Sequence, residues 1–299
     1  MRSARTHRCG YVFAWILAGV VPTPVLAHPG AGIVVDRLGQ VYFVDTGSGL
    51  WKIDAHGTLI RIPAPRFHWM TIDADSRFGG VQLPSGSGGE VTRVGSNPTL
   101  LLASDFPIAM GLDGNLYYPS RGSRGGLDIL RLQPSGRSSV LTSVPLPHLN
   151  GLAAGPNGSL YFTENGAIRR VSAQGQVSTV AADITLTGCA SIPGTDANDA
   201  LLRGLTVDAG GNVYVAASGC GSVLKVTPGG RITTVLQLEG PWSPTAVALF
   251  GKDLYVLEYL HTAVEDRCQW LPRVRKISPD GESAVIATVA RYCPPATSR

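Results

Sequence analysis

One phrase recurs along the chain and limits what it can fold into. A small residue opens a short apolar strand often closed by Asp, and a Gly turn leads to an aromatic strand, then to a third and a fourth. It reads Gly32-Ile-Val-Val-Asp36, Gly39-Gln-Val-Tyr-Phe-Val-Asp45, Leu50-Trp-Lys-Ile-Asp54 and Thr58-Leu-Ile-Arg-Ile62. It returns from Asn150-Gly-Leu-Ala-Ala154 to Gln176-Val-Ser-Thr-Val180, and from Gly204-Leu-Thr-Val-Asp208 to Arg231-Ile-Thr-Thr-Val235. Partial copies begin at Ala109 and Thr245. The weakest places strands at His68–Asp73, Gly80–Leu83, Glu90–Val94 and Thr99–Leu102. A period of roughly 45 residues with four short strands marks a β-propeller blade, because stacking blades in a ring buries faces that one unit leaves wet. The expectation is an all-β, six-bladed propeller with four antiparallel strands per blade. Its blades lie near 28–65, 66–104, 105–145, 146–183, 200–240 and 241–292, with an insert at 184–199. A two-sheet sandwich would not repeat its strands in groups of four.

Composition agrees with this choice. Gly and Pro supply 58 of 299 residues, and only 15% are charged. A chain so punctuated by turns lacks the long amphipathic stretches of helical bundles or doubly wound α/β folds.

The first 27 residues read as a signal peptide: Arg2, Arg5 and Arg8, an apolar run from Tyr11 to Val21, and a small-residue end at Val25-Leu26-Ala27. The run is too short to span a bilayer, so the expectation is an exported, periplasmic or extracellular domain over 28–299 with no membrane contact after cleavage. Cleavage leaves 22 basic against 21 acidic residues. No basic stripe survives, and nucleic acid is not an expected partner. Four cysteines remain, Cys189, Cys220, Cys268 and Cys293. In an oxidising compartment they suggest two disulfides, of three possible connectivities.

The recurring apolar-x-Val-Asp, Gly-Asn-x-Tyr-Val and Gly-x-Val-x-Thr-Val phrases resemble the NHL repeat, and the ring is similar to gluconolactonase-type (senescence-marker) propellers. The resemblance implies that first strands line a central channel. Loops entering those strands, and loops between second and third strands, open together on one ligand-binding face. On that topology Cys189 is expected to pair with Cys220, and Cys268 with Cys293. The same face gathers His28, His68, His148, Asn150, Arg203, Trp242 and Ser243 from the entering loops. Asp45, Arg121, Glu164, Glu258, His261, Glu265 and Asp266 come from the others.

From these, His68, Asn150, Arg203, Glu164, Trp242 and Glu258 are the expected ligand contacts, with His148, Glu258 and His261 as catalytic candidates. Imidazoles and an amide on one face also suggest one divalent ion, zinc or calcium, held by His68, His148, Asn150 and His261. Strand-end Asp36, Asp73 and Asp208 read as turn residues instead. Gluconolactonase-type enzymes hold their metal with a Glu, Asn residues and an Asp. Asn150-Gly151 matches that pattern, but Arg203 stands where the metal-binding Asp belongs. Two functions therefore compete. One is an exported monomeric module holding a polar or anionic small molecule, or a protein segment, at the top face. The other is a metal-dependent lactone hydrolase or lyase there.

Overall fold

The computed structural model describes residues 29–85, 89–95, 97–123, 125–164, 166–187, 189, 199–260 and 271–290. These form six antiparallel sheets arranged as the blades of a ring. Blade one holds β1 (Ile33–Val35), β2 (Val41–Asp45), β3 (Gly49–Ile53) and β4 (Leu59–Ile62) in sequence order. Blade two holds β5 (Trp69–Asp73), β6 (Val91–Val94) and β7 (Thr99–Ala103), and blade three runs from β8 (Ala109–Met110) through β9 (Leu116–Arg121) and β10 (Leu127–Leu132) to β11 (Ser138–Val144). Blade four comprises β12 (Gly151–Ala154), β13 (Leu160–Glu164), β14 (Ala167–Val171) and β15 (Val177–Ala181). Blade five has β16 (Leu202–Val207), β17 (Val213–Ala217), β18 (Ser222–Val226) and β19 (Ile232–Gln237). Blade six has β20 (Trp242–Phe250), β21 (Asp253–Leu260), β22 (Pro272–Ile277) and β23 (Ser283–Thr288).

The strand sequences explain their places. Second strands such as β2 (Val-Tyr-Phe-Val-Asp) are buried on both faces, while outermost strands such as β19 hold only exposed and half-buried residues. Each apolar cluster among the described residues sits between two consecutive sheets: Tyr42, Val44 and Leu102 between blades one and two, Ile168, Leu205 and Val215 between four and five. Turns close as the aspartates require. Asp36 Oδ1 accepts the backbone N–H of Leu38 and Gln40, and Asp208 Oδ1 that of Asn212.

Blade two departs from the expected order. Its three strands run β5-β7-β6, so the apolar Thr99–Ala103, buried throughout, takes the second position beside the channel strand. Gly80–Leu83, expected as that second strand, is not a strand. Glycines 79 and 80 and Pro84 interrupt it, and the segment is held as a loop instead. Asp73 accepts the Arg77 and Phe78 N–H groups, Arg93 Nε donates to the Phe78 carbonyl at 2.7 Å, and Phe78 and Leu83 pack into the core.

Among the described residues, the ring closes without a strand exchanged between its ends. Thr245 Oγ1 on β20 donates to the Gly30 carbonyl at 2.8 Å, and the Tyr259 hydroxyl donates to the Val44 carbonyl at 2.9 Å. Around the hub the inner strands approach so closely that small residues are required. A Cβ on Gly151 would lie 2.5 Å from the Arg203 carbonyl oxygen, and one on Gly204 would lie 2.8 Å from Ala246 Cβ. The Asn150-Gly151 and Arg203-Gly204 phrases are therefore packing devices as well as site signals.

Candidate functional site

The inner strands of blades two, four and five deliver their preceding residues to one end of the channel. There His68, Asp105, His148, Asn150 and Arg203 line a cavity of about 440 Å³. Pro29, Trp69, Leu149 and Leu201 complete its wall with apolar surface. This volume lies within the range of small-molecule sites, and so does the mixture of apolar wall and a few convergent polar groups. Asp105, His148 and Leu149 are shared with a larger neighbouring cavity of about 690 Å³, over blades three and four, that also touches Phe106, Tyr118 and Arg121.

Backbone bonds fix the polar residues. His68 sits between blades: its N–H donates to Ala103, its carbonyl accepts from Ala31 N, and its Nδ1 lies 2.5 Å from the Ser104 carbonyl. A carbonyl only accepts, so Nδ1 carries the proton and Nε2 is the ring's remaining polar atom. Asn150 N donates to the Thr163 carbonyl, and the Thr163 hydroxyl donates to the Arg203 carbonyl at 3.0 Å, tying blade four to blade five directly beneath the cavity.

Leu201, two residues before Arg203, adopts a left-handed φ of 43°, a conformation that a bulky side chain rarely takes. It is held there by Asp199, whose Oδ1 accepts the Leu201 N–H, and by a Ser218 N–H donated to its carbonyl. The Cys189–Cys220 disulfide ties the insert that carries this segment to the β17–β18 turn. Strain of this kind persists only where the surroundings over-determine it, and here it borders the cavity.

Arg203 dominates the electrostatics. Part of the residue reaches water through the cavity, but its Nε is buried with no hydrogen-bond partner. Burial pushes the guanidinium down to about 10, and no carboxylate contributes to the shift. The group is still a cation at neutral pH. An uncompensated buried cation is costly, and it faces a cavity of ligand size.

The other expected site residues lie elsewhere. Glu258 is fully buried on β21 and bonded to Arg273 and Arg275, whose Nε atoms both donate to its carboxylate, the latter at 2.6 Å. Its oxygens are committed to this triad, which faces blade five and not the cavity. Trp242 lies beneath the same Arg273, with the guanidinium carbon 3.6 Å from its ring centre. Glu164 pairs with Arg169 and borders a separate cavity of about 420 Å³ beside blade four. These three expected ligand contacts are structural ion-pair and stacking partners, away from His68 and Arg203. His28, His261, Glu265, Asp266, Cys268 and Cys293 fall outside the described residues. Asp105 and Trp69 join the site although neither was expected as a contact. Asp105 lies in the loop entering blade three, the same class of loop that supplies His68 and His148, and that class was the available signal.

The described residues do not make a ready metal cage. Among them, no three His, Cys, Asp or Glu side chains gather closely enough to hold an ion. Within the cavity an unpaired guanidinium would repel a dication. Among the described residues, no helix is long and apolar enough to cross a membrane.

Comparison with known proteins agrees with this architecture. Residues 122–262, from the β9–β10 loop of blade three into blade six, match the family model described as the SMP-30/Gluconolactonase/LRE-like region. No curated protein sequence matches the chain. Among solved structures it is similar to regucalcin of Agrobacterium tumefaciens, described as a calcium-binding protein, at 21% identity and TM-score 0.54, covering 79% of this chain and 83% of that one. It is also similar to a luciferin-regenerating enzyme (17%, TM-score 0.51, 82% and 91% covered). The virginiamycin B lyase of Staphylococcus aureus matches at 16% identity and TM-score 0.51, with 86% and 83% covered. At such identities these likenesses speak to the fold alone. The ring of six sheets makes the chain a six-bladed β-propeller, and its segment 122–262 is similar to the SMP-30/Gluconolactonase/LRE-like region.

Proposed function

We propose that the chain is an exported propeller whose channel mouth binds a small anionic molecule, with Arg203 as the anchor. The observation that carries this reading is the buried, unpartnered Arg203 on the wall of a ligand-sized cavity. A carboxylate or phosphate arriving there would supply the missing counter-charge in a charge-assisted, bidentate hydrogen bond. Asn150 lines the same cavity, and its side-chain amide N–H offers a donor to a remaining oxygen. Export is supported by the Arg-led apolar segment at 1–27 and by the Cys189–Cys220 disulfide. Calorimetric titration with 3-phenylpropionate and with its neutral amide tests the site. We expect saturable binding of the acid alone, lost in Arg203→Met. Equal binding of acid and amide, or undiminished binding by the variant, would refute the assignment.

A second reading, hydrolysis of a lactone or ester at the same face, is favoured by the family match over 122–262. It predicts turnover of a simple aldonolactone with added zinc or calcium, abolished in His148→Ala. Such turnover, together with indifference to Arg203→Met, would displace the binding assignment.

A further inference from the structure

Arg203 is not the only charge without a counterpart in this cavity. Asp105, in the Ser104–Phe106 loop between blades two and three, lines the same wall, and among the described residues it makes no ion pair and no side-chain hydrogen bond. The two opposite charges do not pair with one another, although both border one space of about 440 Å³. Oppositely charged groups in a protein ordinarily find each other when they can reach. Both border the same space, together with apolar Trp69, Leu149 and Leu201.

We infer that the ligand of this site is zwitterionic: an amino acid with an apolar side chain, its carboxylate on Arg203, its ammonium on Asp105 and its side chain against Trp69. The inference rests on the anion-site reading above and sharpens it. A purely anionic ligand would satisfy Arg203 but bring a second negative charge near Asp105. A purely cationic one would meet the uncompensated guanidinium. Only a molecule carrying both charges, separated by a short carbon frame, answers both poles. Ammonium groups also favour the faces of aromatic rings, and Trp is the best of these. The buried pole sets affinity. Asp105 is exposed and contributes mainly selectivity, because a screened surface charge is worth little.

Three matched ligands test this on the wild-type protein: phenylalanine, 3-phenylpropionate, which lacks the ammonium, and phenethylamine, which lacks the carboxylate. Calorimetry at pH 7 is expected to show phenylalanine binding about three- to fivefold more tightly than 3-phenylpropionate, about 0.6–1 kcal/mol, and no detectable binding of phenethylamine. In Asp105→Asn, an exposed position whose replacement does not threaten folding, the preference is expected to shrink below about twofold while 3-phenylpropionate binds at least as well as before. Binding of 3-phenylpropionate equal to or tighter than phenylalanine in the wild type would overturn the zwitterion and leave the anion site standing. If neither acid binds, both readings fall together.

Discussion

Replacing Arg203 with Met separates a binding-site cation from a structural one. A structural arginine is paired, and removing it destabilises the fold. Arg203 is unpaired at Nε, and burial alone pushes its pKa down from the ordinary guanidinium range to about 10. At roughly 1.36 kcal/mol per pH unit, that displacement corresponds to about 3 kcal/mol of destabilisation carried by the empty protein at neutral pH. Water reaching the side chain through the cavity reduces it, so we expect Arg203→Met, similar in length and apolar, to stabilise the ligand-free chain by about 1–3 kcal/mol. In a chain of this size that is a rise in Tm of roughly 3–10 °C.

The pH dependence gives an independent reading of the same effect. The folded chain holds the Arg203 proton less tightly than the unfolded chain does. Wild-type stability therefore gains from this residue as pH climbs above about 10 toward the ordinary guanidinium range, and the advantage of the variant shrinks as it does. Tyr42 and Tyr117, pushed up to about 12 chiefly by burial, work in the opposite direction between 10 and 12. The readout is thus the difference between wild type and variant, in which the tyrosines cancel. Denaturant unfolding at pH 7 and pH 11 measures it. A variant less stable than wild type at pH 7, by 1 kcal/mol or more, would mean that the guanidinium has a stabilising partner, and the assignment of Arg203 as an open anchor would fail.

Three further outcomes follow from the geometry. Glu258→Gln leaves Arg273 and Arg275 without their shared buried carboxylate and is expected to cost about 3 kcal/mol or more, seen as a lower urea midpoint, while affinity for 3-phenylpropionate stays within threefold. Gly151→Ala places a methyl 2.5 Å from the Arg203 carbonyl and is expected to cost about 1–3 kcal/mol and weaken ligand binding, whereas Gly80→Ala, with nothing within 4 Å, is expected to be neutral in the same thermal assay. Reducing Cys189–Cys220, which spans 31 residues, should cost about 3–4 kcal/mol by loop entropy. It should also lower ligand affinity, because the bridge steadies the strained Leu201 beside Arg203.

The legible and illegible parts of this molecule divide along physical lines. The blades were legible because each repeats a local code: an apolar run, an Asp that closes its own turn, a Gly that permits it. Blade two broke that code. Whether Thr99–Ala103 or Gly80–Leu83 lies next to β5 is decided by burial against blades one and three, which no local pattern records. The cavity residues His68, His148, Asn150 and Arg203 were legible because topology, not chemistry, gathers them, and Asp105 answers to the same rule without any distinguishing phrase around it. The two glutamates were misplaced for a reason that the sequence does hold. Each lies in the C-terminal half of a second strand and is followed on the third strand by arginines whose side chains share its face: Arg169 after Glu164, and Arg273 and Arg275 after Glu258. In an antiparallel hairpin such opposite charges meet directly or diagonally, and a carboxylate so answered has little left for a ligand. Arg203 has no such acid waiting on β17, where its hairpin neighbours are Val, Tyr and Ala. A charge whose own hairpin could neutralise it is part of the scaffold. One that the fold carries to the channel mouth and leaves unanswered marks where the counter-charge must come from outside.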